Sequence, residues 1–211
     1  AVDFMILSYN CIKNIDPDGW IFNIFFGQFN KHMNLAILSS VRLHHLQAMF
    51  DLRMALESGA NAAYAIYGRD KDDFCKNVDE QIIEVVPPEK RHKWLSDNFK
   101  VASETIKKQK SLINQISTHS NIIFTFSNWE MEEGKFRYLF FDREKGDKLV
   151  KTDLWQIANN IMGMLDLFYG VNHKYRVMDF VPDFVDRLKE YETQNHKLKE
   201  QILKMPKLKF L

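Results

Sequence analysis

The sequence predicts a mainly α-helical protein, a helical bundle with one small β-hairpin inserted into it. Residues that break helices are scarce, with 8 glycines and 5 prolines among 211 residues. Apolar residues recur at helical spacing over long stretches. An apolar content of 45% and an aromatic content of 13% indicate a folded core. Only one stretch changes to alternating periodicity, and it supplies the hairpin.

Two long helices are predicted between Trp20 and Tyr67. Pro17-Asp18-Gly19 is a turn signal before the first helix, and Gly68 is the expected C-terminal cap of the second. A break near Ser39-Ser40 would make the two helices an antiparallel pair. A single bent helix fits the same pattern.

The second of these helices carries two charged residues on its apolar stripe. At about 100° per residue, Arg53 and Glu57 fall in the same sector as Met49, whereas Asp51 and Ser58 fall on the opposite, solvent-facing side. Unpaired charges on a buried face cost free energy. We therefore expect Arg53 and Glu57 to form a structural, mostly buried ion pair with partners on neighbouring helices. The functional alternative is that Arg53 faces a cleft and binds an anion.

Three shorter helices are predicted next, from "DKDDFCKNVDEQIIEV", "EKRHKWLSDNF" and "VASETIKKQKSLINQIS". Pro87-Pro88 ends the first of them. The third directs Ile106 and Ile113 inward and its lysines outward. Two aromatic and β-branched runs then predict a β-hairpin at about residues 121–142.

The last part of the chain returns to helical periodicity. Thr152 is the expected N-cap of one apolar helix, which Gly170 or Asn172 closes, and Pro182 starts a final amphipathic helix. We therefore divide the chain into a helical bundle domain with its hairpin, residues 1–180, and a C-terminal amphipathic helix with a basic tail, residues 181–211.

Composition and motifs exclude several classes of function. A formal net charge of +1 predicts no strong general attraction to nucleic acid, although a local basic patch remains open. Cys11 and Cys75 lack CxxC partners, which is typical of reduced thiols in a cytoplasmic protein. No apolar run approaches the ~18 residues of a membrane span. The single ExxH match, Glu89 to His92, reads as a solvated helix face. We expect no metal, no cofactor and no membrane partner.

A polar segment at a helix end is the main candidate for chemistry. In "KQKSLINQISTHSN", residues 108–121, His119 follows a helix that carries three lysines. A histidine there can titrate near neutrality and act as an acid or a base. Alternatively, these side chains only cap carbonyl groups and turns.

The segments "LRMALESGANAAYAIY" and "LINQISTHSN", followed by a hairpin and an apolar helix, resemble a bacterial all-helical family. That family is distantly similar to the HEPN superfamily (higher eukaryotes and prokaryotes nucleotide-binding). The likeness covers roughly residues 20–170. It implies a metal-independent endoribonuclease of toxin and defence systems, whose signature is an arginine, four intervening residues and a histidine.

In this sequence His119 matches the histidine of that signature, and Asn114 occupies the arginine position. The resemblance therefore implies His119 as acid or base at a catalytic site with Asn114. Because an amide does not supply the charge of a guanidinium, Lys110 or Arg53 would have to bind the phosphate. We expect an RNA-binding protein or weak endoribonuclease. The alternative is a non-catalytic helical dimerisation or protein-interaction module, and a homodimer is expected in either case.

Overall fold

The computed structural model describes residues 1–79, 82–115, 129–132, 135–139 and 147–205. Helices account for well over half of these residues, which confirms the mainly α-helical class. Within the described residues the helices are α1 (Val2–Asn10), α2 (Trp20–Val41), α3 (His45–Tyr67), α4 (Glu89–Asn98), α5 (Lys100–Ile113), α6 (Lys148–Tyr175) and α7 (Phe184–Lys204). The strands are β1 (Ile12–Ile15), β2 (Cys75–Asp79), β3 (Ile82–Val85), β4 (Trp129–Glu132), β5 (Lys135–Tyr138) and β6 (Met178–Phe180).

Helices α2 and α3 form the long pair at the centre of the bundle. They are separate helices, because the chain turns between Val41 and His45, where Leu43 has a φ of 60°. The amide of Arg42 donates to the carbonyls of Leu38 and Ser39 and closes α2. The alternative of a single bent helix is therefore wrong.

The predicted orientation of α3 about its axis is partly wrong, although Met49 is buried as expected. Asp51 and Ser58, expected to face solvent, are buried, whereas Phe50 is 47% exposed. Burial of the Asp51 carboxylate is compensated, because Gln47 Nε2 donates to Asp51 Oδ2 at 2.9 Å and His32 Nδ1 lies 3.1 Å from Asp51 Oδ1. The helix is buried over most of its circumference, and one side of it carries small residues, which allow neighbouring helices to approach closely: Ala48, Ala55, Gly59, Ala62 and Ala63.

The centre of the core is aromatic. Phe168 of α6 is fully buried, and its ring lies 5.7 to 5.8 Å from the rings of Phe22, Phe26 and Phe29 on α2. All three contacts are edge-to-face, the geometry that ring quadrupoles favour. This cluster fixes α6 against α2.

Two paired strands, β2 and β3, take the place of the short helix predicted from residues 70–85. After a 3₁₀ turn at Lys71–Asp73, strands β2 and β3 pair antiparallel, with Cys75 opposite Val85. Arg91 of α4 donates to the carbonyls of Asp73, just before β2, and Val86, just after β3. This tertiary contact stabilises the open end of the hairpin, where its two strands begin and end. A short mixed apolar run does not distinguish helix from strand by period alone.

A second pair of strands also lies outside the predicted hairpin. Strand β1 pairs antiparallel with β6, with Ile15 opposite Met178. The described strands β4 and β5 lie within residues 121–142 and pair with each other, with Trp129 opposite Tyr138. Strands therefore also occur outside residues 121–142. The β1–β6 pair could not be predicted, because its two strands are far apart in sequence and come together only in the folded chain.

The ends of α6 differ from the sequence prediction. The helix begins at Lys148, and Thr152 lies inside it, donating from Oγ1 to the Lys148 carbonyl at 2.7 Å. It continues past Asn172 to Tyr175. The Asn172 amide then stabilises the following turn, accepting from the backbone amides of Val177 and Met178 and donating to the Met178 carbonyl. Within the described residues, no helix has the length and apolar character that crossing a membrane requires.

Candidate functional site

The Glu57 carboxylate lies between two cations. On α3, Glu57 Oε1 is 3.4 Å from Arg53 Nε, and across to α5 it is 3.0 Å from Lys110 Nζ. Lys110 was expected to point outward, yet only 21% of its side chain is exposed. The carboxylate therefore brings the two predicted phosphate-binding residues to one place on the surface between α3 and α5.

These charges remain in contact with solvent. The Arg53 and Glu57 side chains are 32% and 34% exposed. The pair therefore stabilises the fold less than a fully buried pair, and removal of Glu57 should cost about 1 kcal/mol rather than the about 3–5 kcal/mol of a buried network. Arg53 Nε is itself shielded from solvent and has no hydrogen-bond partner within the described residues.

His92 on α4 faces the same cations. Burial, followed by the charges of Lys110, Arg91 and Lys107, holds the pKa of His92 below its ordinary value of 6.5. The buried surroundings and the neighbouring cations therefore favour the neutral imidazole. The sequence suggested a solvated His92, but the side chain is half-buried.

We define the α3–α5 basic cluster as Arg53, Glu57, His92, Lys107 and Lys110. It contains three permanently cationic side chains and one carboxylate. A local positive excess of this kind attracts anions even in a chain with a net charge of only +1. The lysine-rich face of α5 was the sequence signal for it, but the contribution of α4 could not be inferred from helix periodicity.

Arg91 is close to the cluster but has a structural role. Its side chain is buried, and its Nε donates to Asn61 Oδ1 at 3.0 Å. Its remaining donors bind backbone carbonyls, and the guanidinium lies over the ring of Phe74 at 5.0 Å from the centroid. Because these contacts occupy its donors, Arg91 contributes charge to the cluster rather than a binding group.

Asn114 and His119 stand at the two positions of the HEPN signature, and only Asn114 lies within the described residues. Asn114 directly follows α5, one helical turn beyond Lys110, so both residues lie on the same side of the helix. Asn114 is half-buried and has interaction partners. His119 lies outside the described residues, and its predicted catalytic position stays a prediction.

A buried histidine–aspartate pair joins α3 to α6. His45 Nδ1 lies 2.7 Å from Asp153 Oδ2, and both side chains are almost fully buried. This pair could not be inferred from the sequence, since the two residues are 108 positions apart. Burial of both groups favours a structural role, because a catalytic imidazole has to reach its substrate.

A cavity of about 480 Å³ lies at the other end of α6, near the β1–β6 pair. Its lining includes Asp16 and Asp179 as well as His173 and Arg176. Carboxylates and a guanidinium both line it, so its lining has no single sign of charge. It contains none of the site residues that the sequence predicted.

Among the described residues, no group of three or more histidine, cysteine, aspartate or glutamate side chains is arranged to hold a metal ion. No family model, curated protein or solved structure matches the chain. The α3–α5 basic cluster is therefore the feature of the structure from which we infer a function.

Proposed function

We propose that the protein binds RNA through the α3–α5 basic cluster, and that it is a weak, metal-independent endoribonuclease with His119 as its acid or base. The observation that carries the binding proposal is the convergence of Arg53 and Lys110 on one partly exposed carboxylate. The resemblance to HEPN proteins of toxin and defence systems supports RNA as the polyanion.

Phosphate groups suit this arrangement of charges. Lysine and arginine side chains supply most of the sequence-independent affinity of proteins for nucleic acids. Glu57 holds Arg53 and Lys110 in place when no phosphate is bound, which reduces the entropy that binding must remove. Its negative charge also competes with a phosphate, which is consistent with modest affinity.

The position of Asn114 supports placing the predicted chemistry beside this cluster. Lys110 and Asn114 share one side of α5, and His119 follows five residues later in the sequence. A phosphate bound by Lys110 would therefore lie near the end of α5 from which the segment with His119 continues. Lys110 would supply the positive charge that Asn114 lacks.

Replacing both Lys107 and Lys110 with alanine is expected to weaken binding of single-stranded RNA about tenfold or more near physiological salt. Each lost phosphate contact should also lower the slope of log affinity against log salt by about 0.7. Fluorescence anisotropy with a labelled oligonucleotide measures both quantities. The matched control is Lys189→Ala with Lys197→Ala, two exposed lysines of α7. Equal losses in the two double variants would contradict a localised site.

Glu57→Gln supplies a change of the opposite sign in the same assay. Removing the competing carboxylate charge should tighten RNA binding several-fold, although it weakens the link between α3 and α5. A parallel titration with single-stranded DNA tests the RNA assignment. Equal affinity for the two polymers would indicate a general phosphate-binding surface rather than an RNA site.

A further inference from the structure

The outer face of α2 is apolar although it is exposed. Five large apolar side chains of this helix are between 37% and 53% exposed: Trp20, Ile24, Leu35, Leu38 and Val41. At about 100° per residue they fall on one stripe that runs the length of the helix, about 33 Å. The face is mainly apolar rather than wholly so, because the exposed side chains of Asn23, Gln28 and Lys31 lie along it as well.

Neighbouring groups widen this face and leave it nearly uncharged. Tyr9 of α1, also exposed, accepts a hydrogen bond from Asn34 at 2.6 Å and so lies beside α2. Lys31 and His32 are the only basic side chains within α2, which has no acidic ones. Exposed apolar surfaces of this kind mark sites of protein association.

Gly27 lies at the middle of the stripe. A Cβ atom at this position would meet no other atom within 4 Å in the described part of the molecule. The missing side chain leaves a shallow notch on the outer face, and a second helix could approach the backbone closely there. Among the described residues, no contact accounts for a glycine at this position.

From these features we propose that α2 pairs antiparallel with α2 of a second copy of this chain. The twofold axis crosses the outer face at the level of residues 29 and 30 along the helix. The pairing of the two copies does not require RNA or the α3–α5 basic cluster. Twofold pairing brings one surface against itself, the commonest arrangement of homodimers. In that register Ile24 of one copy faces Leu35 of the other. The single lysine of each face, Lys31, lies beside Gln28 and Gly27 of the second copy, and the two Lys31 side chains, one on each side of the axis, reach solvent by extending along the edges of the interface.

The ends of the helix favour the same partner. Arg42 follows the last residue of α2 and is exposed, and Asp18 precedes the helix with 78% of its side chain exposed. Antiparallel pairing places Arg42 of one copy against Asp18 of the other, and symmetry repeats the contact at the opposite end. Asp18 already has Arg69 at 3.7 Å, a long contact that a second cation can share. Charge complementarity at both ends therefore selects the second copy and the orientation.

Sedimentation velocity of the full chain without RNA tests the pairing. We expect a dimer for the wild type and a monomer for Gly27→Trp, whose Cβ would meet no other atom within 4 Å among the described residues and whose ring would project into the interface. Gly163→Trp is the matched control, because Gly163 of α6 is also exposed and has equally open surroundings. It should remain dimeric, and circular dichroism should show all three chains equally folded.

Exchange of the end charges tests the register. Arg42→Glu should weaken dimerisation, and adding Asp18→Arg to the same chain should restore it. A monomeric wild type at all concentrations measured would overturn the proposal, as would dissociation by Gly163→Trp equal to that by Gly27→Trp. Failure of the double variant to recover dimerisation would overturn the antiparallel arrangement. None of these outcomes alters the RNA-binding prediction for Lys107 and Lys110, which is measured separately.

Discussion

Replacing Phe168 with alanine is expected to lower the free energy of unfolding by about 3–5 kcal/mol, the cost of removing a fully buried aromatic ring and leaving a cavity. The ring has edge-to-face contacts with Phe22, Phe26 and Phe29, so the substitution removes the centre of the packing between α6 and α2. Equilibrium unfolding in urea measures the change from the shift in midpoint at constant slope.

A matched control for this substitution is Leu203→Ala, because Leu203 of α7 is 71% exposed. Its effect should stay within about 0.5 kcal/mol, as for most surface changes. Phe168→Leu, which keeps part of the buried volume, should fall between the two. A loss below about 1 kcal/mol for Phe168→Ala would show that α6 does not pack on α2 through this ring.

The largest expected effect on activity concerns His119. If the protein cleaves RNA as proposed, His119→Ala should reduce the rate of cleavage of single-stranded RNA about 10²–10⁴-fold, the range for loss of a general acid or base. The assay is run with a chelator present, because the proposed mechanism needs no metal. His196→Ala, an exposed histidine of α7, is the matched control and should retain the wild-type rate.

Asn114→Arg tests the same site by a gain of activity. A guanidinium at this position would stabilise the negative charge that develops on the phosphate, so cleavage should become faster. If the wild type shows no cleavage and Asn114→Arg gains none, the proposed ribonuclease activity is wrong. The alternative function, a non-catalytic helical interaction module, is then the one to keep. If cleavage is measurable but His119→Ala leaves its rate unchanged, the assignment of His119 is wrong.

The parts of the fold set by local sequence signals could be predicted. The long apolar stripes and the Gly68 cap predict the two helices that end near Val41 and Tyr67. The rotation of α3 could not be predicted, because Asp51 looks solvent-facing until His32 and Gln47 are brought to its carboxylate. A count of apolar residues cannot detect a buried charge that distant side chains compensate.

The remaining differences have the same origin in contacts between distant residues. The apolar residues between 70 and 85 follow neither a helical nor an alternating period. Arg91 stabilises the open end of the β2–β3 hairpin only once α4 has packed against it. In the candidate site, too, contacts within one helix could be predicted from the sequence and contacts between helices could not. Arg53 and Glu57 could be paired from their spacing along α3. The contact from Lys110 and the position of His92 depend on how α4 and α5 lie against α3, which periodicity does not specify.

The most direct test of the proposed RNA site is the titration of His92 with and without RNA. Its pKa is held below 6.5 by burial and by the neighbouring cations, so a phosphate bound among those cations should offset their charges and raise it. Two-dimensional NMR of the histidine rings measures the titration, and His92→Gln identifies the signal. We expect a pKa below 6.5 in the free protein and a higher value with saturating single-stranded RNA. An identical His92 titration in the free and RNA-saturated protein would contradict binding at the α3–α5 basic cluster.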